Sequence, residues 1–407
     1  MGILACIENY SSPQHNFNLL LSYAWVDMSI KTIKLNPKLE PALRSGHPWL
    51  YRNHLPQHNL KDGNWVKLIA GAKSRVGLYD ATSAIAVRFF ASEVPDREFI
   101  HKRVKEALAL RENIDKDTTA YRLIYGESDF LPGLVADRYG RFVVLKMYSS
   151  SLFTILDDVV WALKTELKLK GILLRSSNDL SSLWGELPPE ELTISENGLK
   201  FIANLYKGQK TGLFLDQREN RQTVRRLVKD KTVLNLFSYN GGFSVYALAG
   251  GASYVKAVDI ADAANKDAEK NVILNNFEPT THEALTADVF DVLSMFVQQR
   301  ESFDIVVLDP PTLAKDKQNR MVAIRAYRKL NMLAMRVVKN GGLLFTSSCT
   351  SQVSEAEFKD MLKESALKRK LKAQIIHEAG HALDHPVPLS FKEARYLKFI
   401  GLRISSP

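Results

Sequence analysis

The segment 233–243 constrains this chain more than any other. An apolar run, Val233-Leu234-Asn235-Leu236, breaks at Phe237-Ser238-Tyr239-Asn240 into the pair Gly241-Gly242. A second apolar run, Tyr254-Val255-Lys256-Ala257-Val258, ends in Asp259. This pattern dictates a buried parallel strand, a tight turn at its C-terminal end, a helix and a second strand. Open α/β sheets bind ligands along that edge. Gly241 and Gly242 let backbone approach a ligand with no Cβ between them. Asp259, at the tip of its strand, is placed to accept hydrogen bonds from ribose hydroxyls. Phe237, Ser238 and Tyr239 lie in the same turn. A nucleoside-containing cofactor is therefore expected. A purely structural sheet, with its glycines serving packing, is the competing reading.

The cofactor is narrowed by what the turn lacks. It has no G-x-G-x-x-G fingerprint to seat a pyrophosphate at a helix N-terminus, and no Gly-Lys-Ser/Thr phosphate loop. An adenosine cofactor without phosphates fits, namely S-adenosylmethionine. Asp288-Val289-Phe290 follows another expected strand end. There Asp288 can meet an adenine amino group and Phe290 can cover the ring.

Three further signals fall in order. Phe303-Asp304-Ile305-Val306-Val307-Leu308 reads as a buried strand that stops at Asp309-Pro310-Pro311, since proline cannot donate to a sheet ladder. One carboxylate is thereby held over the pocket, although a capping aspartate in a plain turn has the same pattern. Val338-Lys339-Asn340-Gly341-Gly342 leads into a strand that delivers Cys349 to the same edge. The segment 210–218, with Lys210, Asp216 and Arg218, is expected at the cofactor rim or a catalytic loop.

The chain has two cysteines, Cys6 and Cys349. That is neither a disulfide framework nor a thiolate zinc site, and it suits a reducing cytosol. A free cysteine is usually an inert buried residue; position makes Cys349 different, with Asp309 on a nearby strand. Cytosine C5 is too weak a nucleophile to attack a methyl sulfonium unless a thiolate first adds at C6. A carboxyl group can then hydrogen-bond or protonate N3. The sequence places one thiol and one acid at suitable strand ends.

These residues resemble the bacterial large-subunit ribosomal RNA cytosine-5 methyltransferases, class I enzymes dependent on S-adenosylmethionine with an N-terminal PUA domain. The matching segments are Ser45-Gly46-His47-Pro48-Trp49-Leu50-Tyr51, Leu131-Pro132-Gly133-Leu134-Val135-Ala136-Asp137-Arg138-Tyr139, Gly208-Gln209-Lys210-Thr211-Gly212 and Leu215-Asp216-Gln217-Arg218. The turn at 237–243, Asp309-Pro310-Pro311, Ser348-Cys349, Asp384-His385-Pro386-Val387 and Arg395-Tyr396-Leu397-Lys398 also match. The resemblance implies a C-terminal doubly wound, Rossmann-like domain, Cys349 as nucleophile, Asp309 as its partner, and 23S ribosomal RNA as substrate. It allows a homodimer. Thr312-Leu313-Ala314-Lys315 also resembles a guanine-N7 methyltransferase branch, so N7 or exocyclic-amine transfer remains an alternative. A ribosome-assembly factor that binds RNA without turnover is a second.

The formal net charge of +10 favours a polyanionic partner. Residues 1–27 contain no Lys or Arg, so they lack the charged start of a secretory signal and the Arg-rich pattern of a transit peptide. They read as a disordered leader, or as sequence preceding a natural start at Met28. Alternating runs over 28–98 predict a small β-barrel, with Lys31, Lys34, Lys38, Arg44 and Arg52 beside Trp49 and Tyr51 as an RNA face. Residues 99–190 predict an α/β connector with helices over 98–113 and 152–169; within it, Asp137 and Arg138 read as an internal ion pair, with contact to RNA as the alternative. Residues 191–407 alternate strand and helix as a doubly wound sheet does. His377-Glu378-Ala379-Gly380-His381 matches H-E-x-x-H, but a strand enters the motif and Gly380, Pro386 and Pro388 oppose a helix. No metal is expected.

Overall fold

The computed structural model describes residues 30–114, 116–176, 179–206, 208, 211–314 and 318–407. The leader, Cys6 and Lys210 lie outside the described residues. An N-terminal five-stranded sheet runs in the order Lys31–Lys34, Trp65–Ala70, Lys73–Tyr79, Ile85–Ala91, Trp49–Tyr51. Leu43, Leu50, Val66, Leu68 and Val87 form its core. A second five-stranded sheet, from Ala120–Tyr125 to Leu180–Gly185, carries the helices Arg97–Ala109 and Phe153–Glu166.

The third sheet has seven strands: β1 (Thr232–Leu236), β2 (Tyr254–Asp259), β3 (His282–Thr286), β4 (Phe303–Leu308), β5 (Val338–Ser348), β6 (Lys372–Ala379) and β7 (Lys398–Ser405). Their order is β3-β2-β1-β4-β5-β7-β6. The first five pair in parallel, and β7 is antiparallel to both of its neighbours. Helices α1 (Arg218–Arg225), α2 (Gly242–Ala249), α3 (Asp262–Leu274), α4 (Val289–Gln299), α5 (Arg320–Ala334) and α6 (Glu355–Lys368) accompany it. A parallel sheet is covered on both faces, so its central strands read as continuous apolar runs. Val233, Leu234, Val306, Val307 and Leu308 are all fully buried. They divide between two clusters, one with Val245, Tyr246 and Phe399, the other with Phe296, Leu330 and Phe358. Strand order reverses between β1 and β4, and the turns that follow them diverge into a crevice.

A long segment between β6 and β7 ties the second sheet to this crevice. Asp384 is fully buried. It accepts from both terminal nitrogens of Arg218 at 3.1 Å, from the backbone amide of Arg122 at 2.7 Å, and contacts His385 Nδ1 at 3.0 Å. Its backbone carbonyl accepts from Arg111 at 2.8 Å. The predicted pairing of Asp137 with Arg138 is corrected: adjacent strand residues point to opposite faces. Asp137 instead takes Arg122 at 2.8 and 2.9 Å, and Arg138 bonds the Gly140 carbonyl and the Tyr121 hydroxyl. Among the described residues no helix is long and apolar enough to cross a membrane.

Burial by itself would raise the Asp384 carboxyl, but His385 and then Arg218 outweigh it and hold the group well below the usual carboxylate range. Its stabilisation is full above that range and is lost as pH falls through it towards the lowered value. Asp384→Ala strips the buried Arg218 guanidinium of its buried counter-charge and leaves it the more exposed Glu219 alone, and we expect a loss of about 3–5 kcal/mol in urea unfolding. A loss below 1 kcal/mol would contradict the role.

Candidate active site

Every turn at the C-terminal edge of the parallel strands contributes to one cavity of ≈ 260 Å³. Phe237, Ser238 and Tyr239 come from the β1 turn, Asp259 from β2, Asp288 from the start of α4, Asp309 from the end of β4, and Cys349 from the end of β5.

The β1 turn is strained. Phe237 and Tyr239 have φ of 59° and 48°, and Gly241 has 77°. A left-handed non-glycine residue costs on the order of 1–3 kcal/mol and persists only where its surroundings enforce it. Here the Tyr239 amide donates to Asp259 Oδ2 at 2.9 Å and the Ser238 amide to the Val258 carbonyl at 3.1 Å. A Cβ on Gly241 would stand 2.8 Å from that of Ala268, so the turn and α3 close only with glycine there.

The cavity suits an adenosine cofactor. Asp259 spends one acceptor site of each oxygen on the amides of Tyr239 and Ala261, both at 2.9 Å. A carboxylate has about four such sites, which leaves capacity for two ribose hydroxyls. Asp288 caps α4 through Oδ1 alone, so Oδ2 has no partner among the described residues and can accept from an amino group. The buried Ser238 hydroxyl also has none. Phe237, Val289 and Ile260 supply apolar wall. Phe290 requires a correction: α4 begins at Val289, so the next side chain turns away from the cavity. It packs into the apolar cluster beside α5, with Lys329 Nζ 5.0 Å from its ring centre.

At the other end of the cavity stand the acid and the thiol. Gln217 donates to Asp309 Oδ1 at 3.0 Å, and the Ser347 hydroxyl donates to the same oxygen. Cys349 is half-buried. Its Sγ lies 3.2 Å from Thr312 Oγ1 and 4.0 Å from the Pro310 carbonyl. Beneath it, the Tyr327 hydroxyl meets Thr350 Oγ1 at 2.8 Å.

Asp216 lines the cavity and accepts from the Tyr396 hydroxyl at 2.5 Å. Arg218 is corrected: it does not line the cavity, because Asp384 and Glu219 hold its guanidinium. In the N-terminal sheet, Trp49 is buried, with its ring 4.7 Å from Phe391 and its indole N–H donating to Glu127 at 2.7 Å. It offers no face to a base. Arg52 is likewise taken up by the carbonyls of Asp80 and Ser83 and the Tyr79 hydroxyl, and Tyr51 is half-buried against Trp49. Arg44, Lys34 and Lys38 remain exposed; Lys31 is half-exposed, and its Nζ donates to the Asn59 carbonyl at 3.3 Å. His377 and Glu378 lie on β6, and Glu378 pairs with Lys359 at 2.5 Å. Sequence reasoning passed over Gln217, Thr312, Ser347 and Lys398. Gln217 and Lys398 stood inside matching segments, beside residues that drew the attention.

The family described as S-adenosylmethionine-dependent methyltransferase matches residues 159–374, and a PUA-like domain family matches residues 33–92. The chain is 35% identical to the ribosomal RNA large subunit methyltransferase I of Shewanella frigidimarina over 394 residues, covering 91% of this chain and 99% of that one. It is 34% identical to a ribosomal RNA large subunit methyltransferase of Deinococcus radiodurans, with 91% and 97% covered. A crystal structure of a methyltransferase complexed with SAH superposes with a TM-score of 0.83 at 26% identity, covering 92% of this chain and all of that one.

Asp259→Ala removes the expected ribose acceptor and the anchor of the strained turn together. We expect S-adenosylmethionine affinity, read by calorimetry, to fall at least about tenfold, the equivalent of one charge-assisted hydrogen bond. Unchanged affinity would remove Asp259 from the cofactor site.

Proposed function

We propose, because this chain belongs to the S-adenosylmethionine-dependent large-subunit ribosomal RNA methyltransferases, that it transfers a methyl group to C5 of a cytosine in 23S ribosomal RNA. One observation carries the reading: the half-buried Cys349 thiol and the Asp309 carboxyl line the same cavity as Asp259 and Asp288. S-adenosylmethionine supplies an electrophilic methyl group when bound. Asp259, Asp288 and the β1 turn hold its adenosine. Cys349, as thiolate, adds to C6 of the cytosine, and the displaced electron pair makes C5 nucleophilic. Asp309, in its protonated form, donates a hydrogen bond to N3 as negative charge develops on the ring. Gln217 and Ser347, both donating to Asp309 Oδ1, fix the plane of that carboxyl. After C5 is methylated, a base in the cavity takes the C5 proton, and the electron pair of that bond re-forms the ring double bond and expels the thiolate. Splitting one hard step into two easier ones is the gain from covalent catalysis.

The reading places the enzyme in the cytoplasm, with the PUA-like region and its exposed Lys34, Lys38 and Arg44 supporting RNA capture. A pair of copies belongs to the same reading, and a single-chain mass by light scattering would remove it.

Cys349→Ala is expected to abolish methyl transfer to ribosomal RNA and to abolish the stable complex that 5-fluorocytosine RNA forms with the parent enzyme. Undiminished turnover would exclude the nucleophile. Transfer without a trapped complex would move the reaction to a guanine nitrogen or an exocyclic amine, which attack without a thiol. Asp309→Asn is expected to lower kcat about 10²–10⁴-fold, the usual worth of a positioned acid, with little change in cofactor KM. A kcat within threefold of the parent would exclude that role.

A further inference from the structure

Lys398, the first residue of β7, has no role in the reaction described above. It is 6% exposed. Its Nζ donates to three backbone carbonyls: Thr350 at 2.6 Å, Val353 at 2.9 Å and Tyr396 at 2.9 Å. A neutral amine has two N–H bonds and an ammonium has three. Three carbonyl acceptors around one nitrogen therefore specify the charged form. Among the described residues no carboxylate pairs with it. The result is a buried positive charge that carbonyl dipoles solvate and no anion neutralises. A charge left in that state is costly unless a counter-charge forms nearby.

One group able to become that counter-charge is the Cys349 thiol. Lys398 brackets it on both sides. Its backbone pairs across the sheet with Ser348, and its ammonium grips the carbonyl of Thr350. Because β7 is antiparallel to β5, its first residue falls at the end of β5, where Cys349 leaves the sheet. We propose that Lys398 is a positioning residue that acts through Cys349: its ammonium stabilises the thiolate and fixes the turn that presents it. The S–H bond breaks with its electron pair left on sulfur, the proton passes to water in the cavity, and Lys398 keeps all three of its protons.

The other ionisable groups around the thiol do not supply this charge. Asp309, at the end of the neighbouring strand β4, can carry no positive charge. Tyr327, on α5, has its hydroxyl pushed up by burial first and then by Cys349, so it stays neutral. Glu355, at the start of α6, is engaged by Lys359 at 2.9 Å. Burial draws the Lys398 ammonium down to about 8, against an upward pull from Cys349 and then Glu355. It therefore remains charged through neutral pH.

The inference deepens the cytosine reading, and its test needs no RNA, so the two fail separately. Cys6→Ser makes Cys349 the single thiol, and its alkylation by iodoacetamide is followed from pH 5 to 10 in the full-length protein. The midpoint is expected below the ordinary cysteine value of about 8.5. In Lys398→Met it should rise by about 1–2 pH units, the usual effect of removing a neighbouring opposite charge. In Lys398→Arg, which keeps the charge, it should move back towards the parent value. Thermal melting and S-adenosylmethionine binding establish that each variant is folded. A parent midpoint at or above 8.5 overturns the proposal without any variant, and so does a folded Lys398→Met with an unshifted midpoint.

Discussion

The reversal of strand order between β1 and β4 is the constraint on which this molecule turns. Two adjacent parallel strands whose connections leave in opposite directions cannot close over each other, so a crevice opens at their C-terminal ends. Both strands are buried at their centres, with Asn235 of β1 satisfied by Ser244 at 2.9 Å, and each stops where a residue incompatible with a ladder follows. In β1 that residue is Phe237 in the left-handed region; in β4 it is Asp309 before two prolines. The same burial that stabilises the sheet thus forces polar chemistry to its rim. The strain in the β1 turn is held by Asp259 from the neighbouring strand, so a carboxylate that lines the cavity is also the one that keeps the turn in shape.

The thiol end of the cavity depends on a different device. Segment 380–397 leaves β6, bonds the Asp216 carbonyl through Ala382, buries Asp384 among three arginines, lays Phe391 against Trp49 and accepts the Tyr125 hydroxyl at the Ala394 carbonyl. It then enters β7 at Lys398. One irregular stretch therefore touches the three larger sheets before it reaches the turn that carries Cys349. Leu383 and Leu389 stay exposed, while the polar groups that the stretch does bury find partners, as buried loop backbone must. This gives a physical reason for Arg111 and Arg218 to be spent inside the protein although the chain is strongly basic.

The third sheet and its cofactor were legible in the amino-acid order because their determinants are local. Strand, turn, glycine pair and terminal acid stand within thirty residues of one another, and burial on both faces writes itself as an uninterrupted apolar run. The residues misjudged from sequence are those whose partners are far away. Arg218 is claimed by Asp384, 166 positions on. Trp49 meets Phe391, and a basic, aromatic stretch that reads as an RNA face becomes in part an internal seam. Phe290 failed for a local reason, a helix start one residue earlier than its role required.

By itself, then, the sequence determined that a doubly wound sheet would form, that its rim would hold an adenosine cofactor, and that one thiol and one acid would stand at strand ends. Periodicity, proline and glycine act over a few residues, and physics of that range survives in one dimension. Only tertiary structure decided which strand would lie beside β5, and in which direction. An antiparallel β7 carries its first residue to the end of β5, so a lysine 49 positions from the cysteine comes to bracket it. No local pattern encodes that meeting, because its cause is the pairing of two distant strands whose register is set by the core they share.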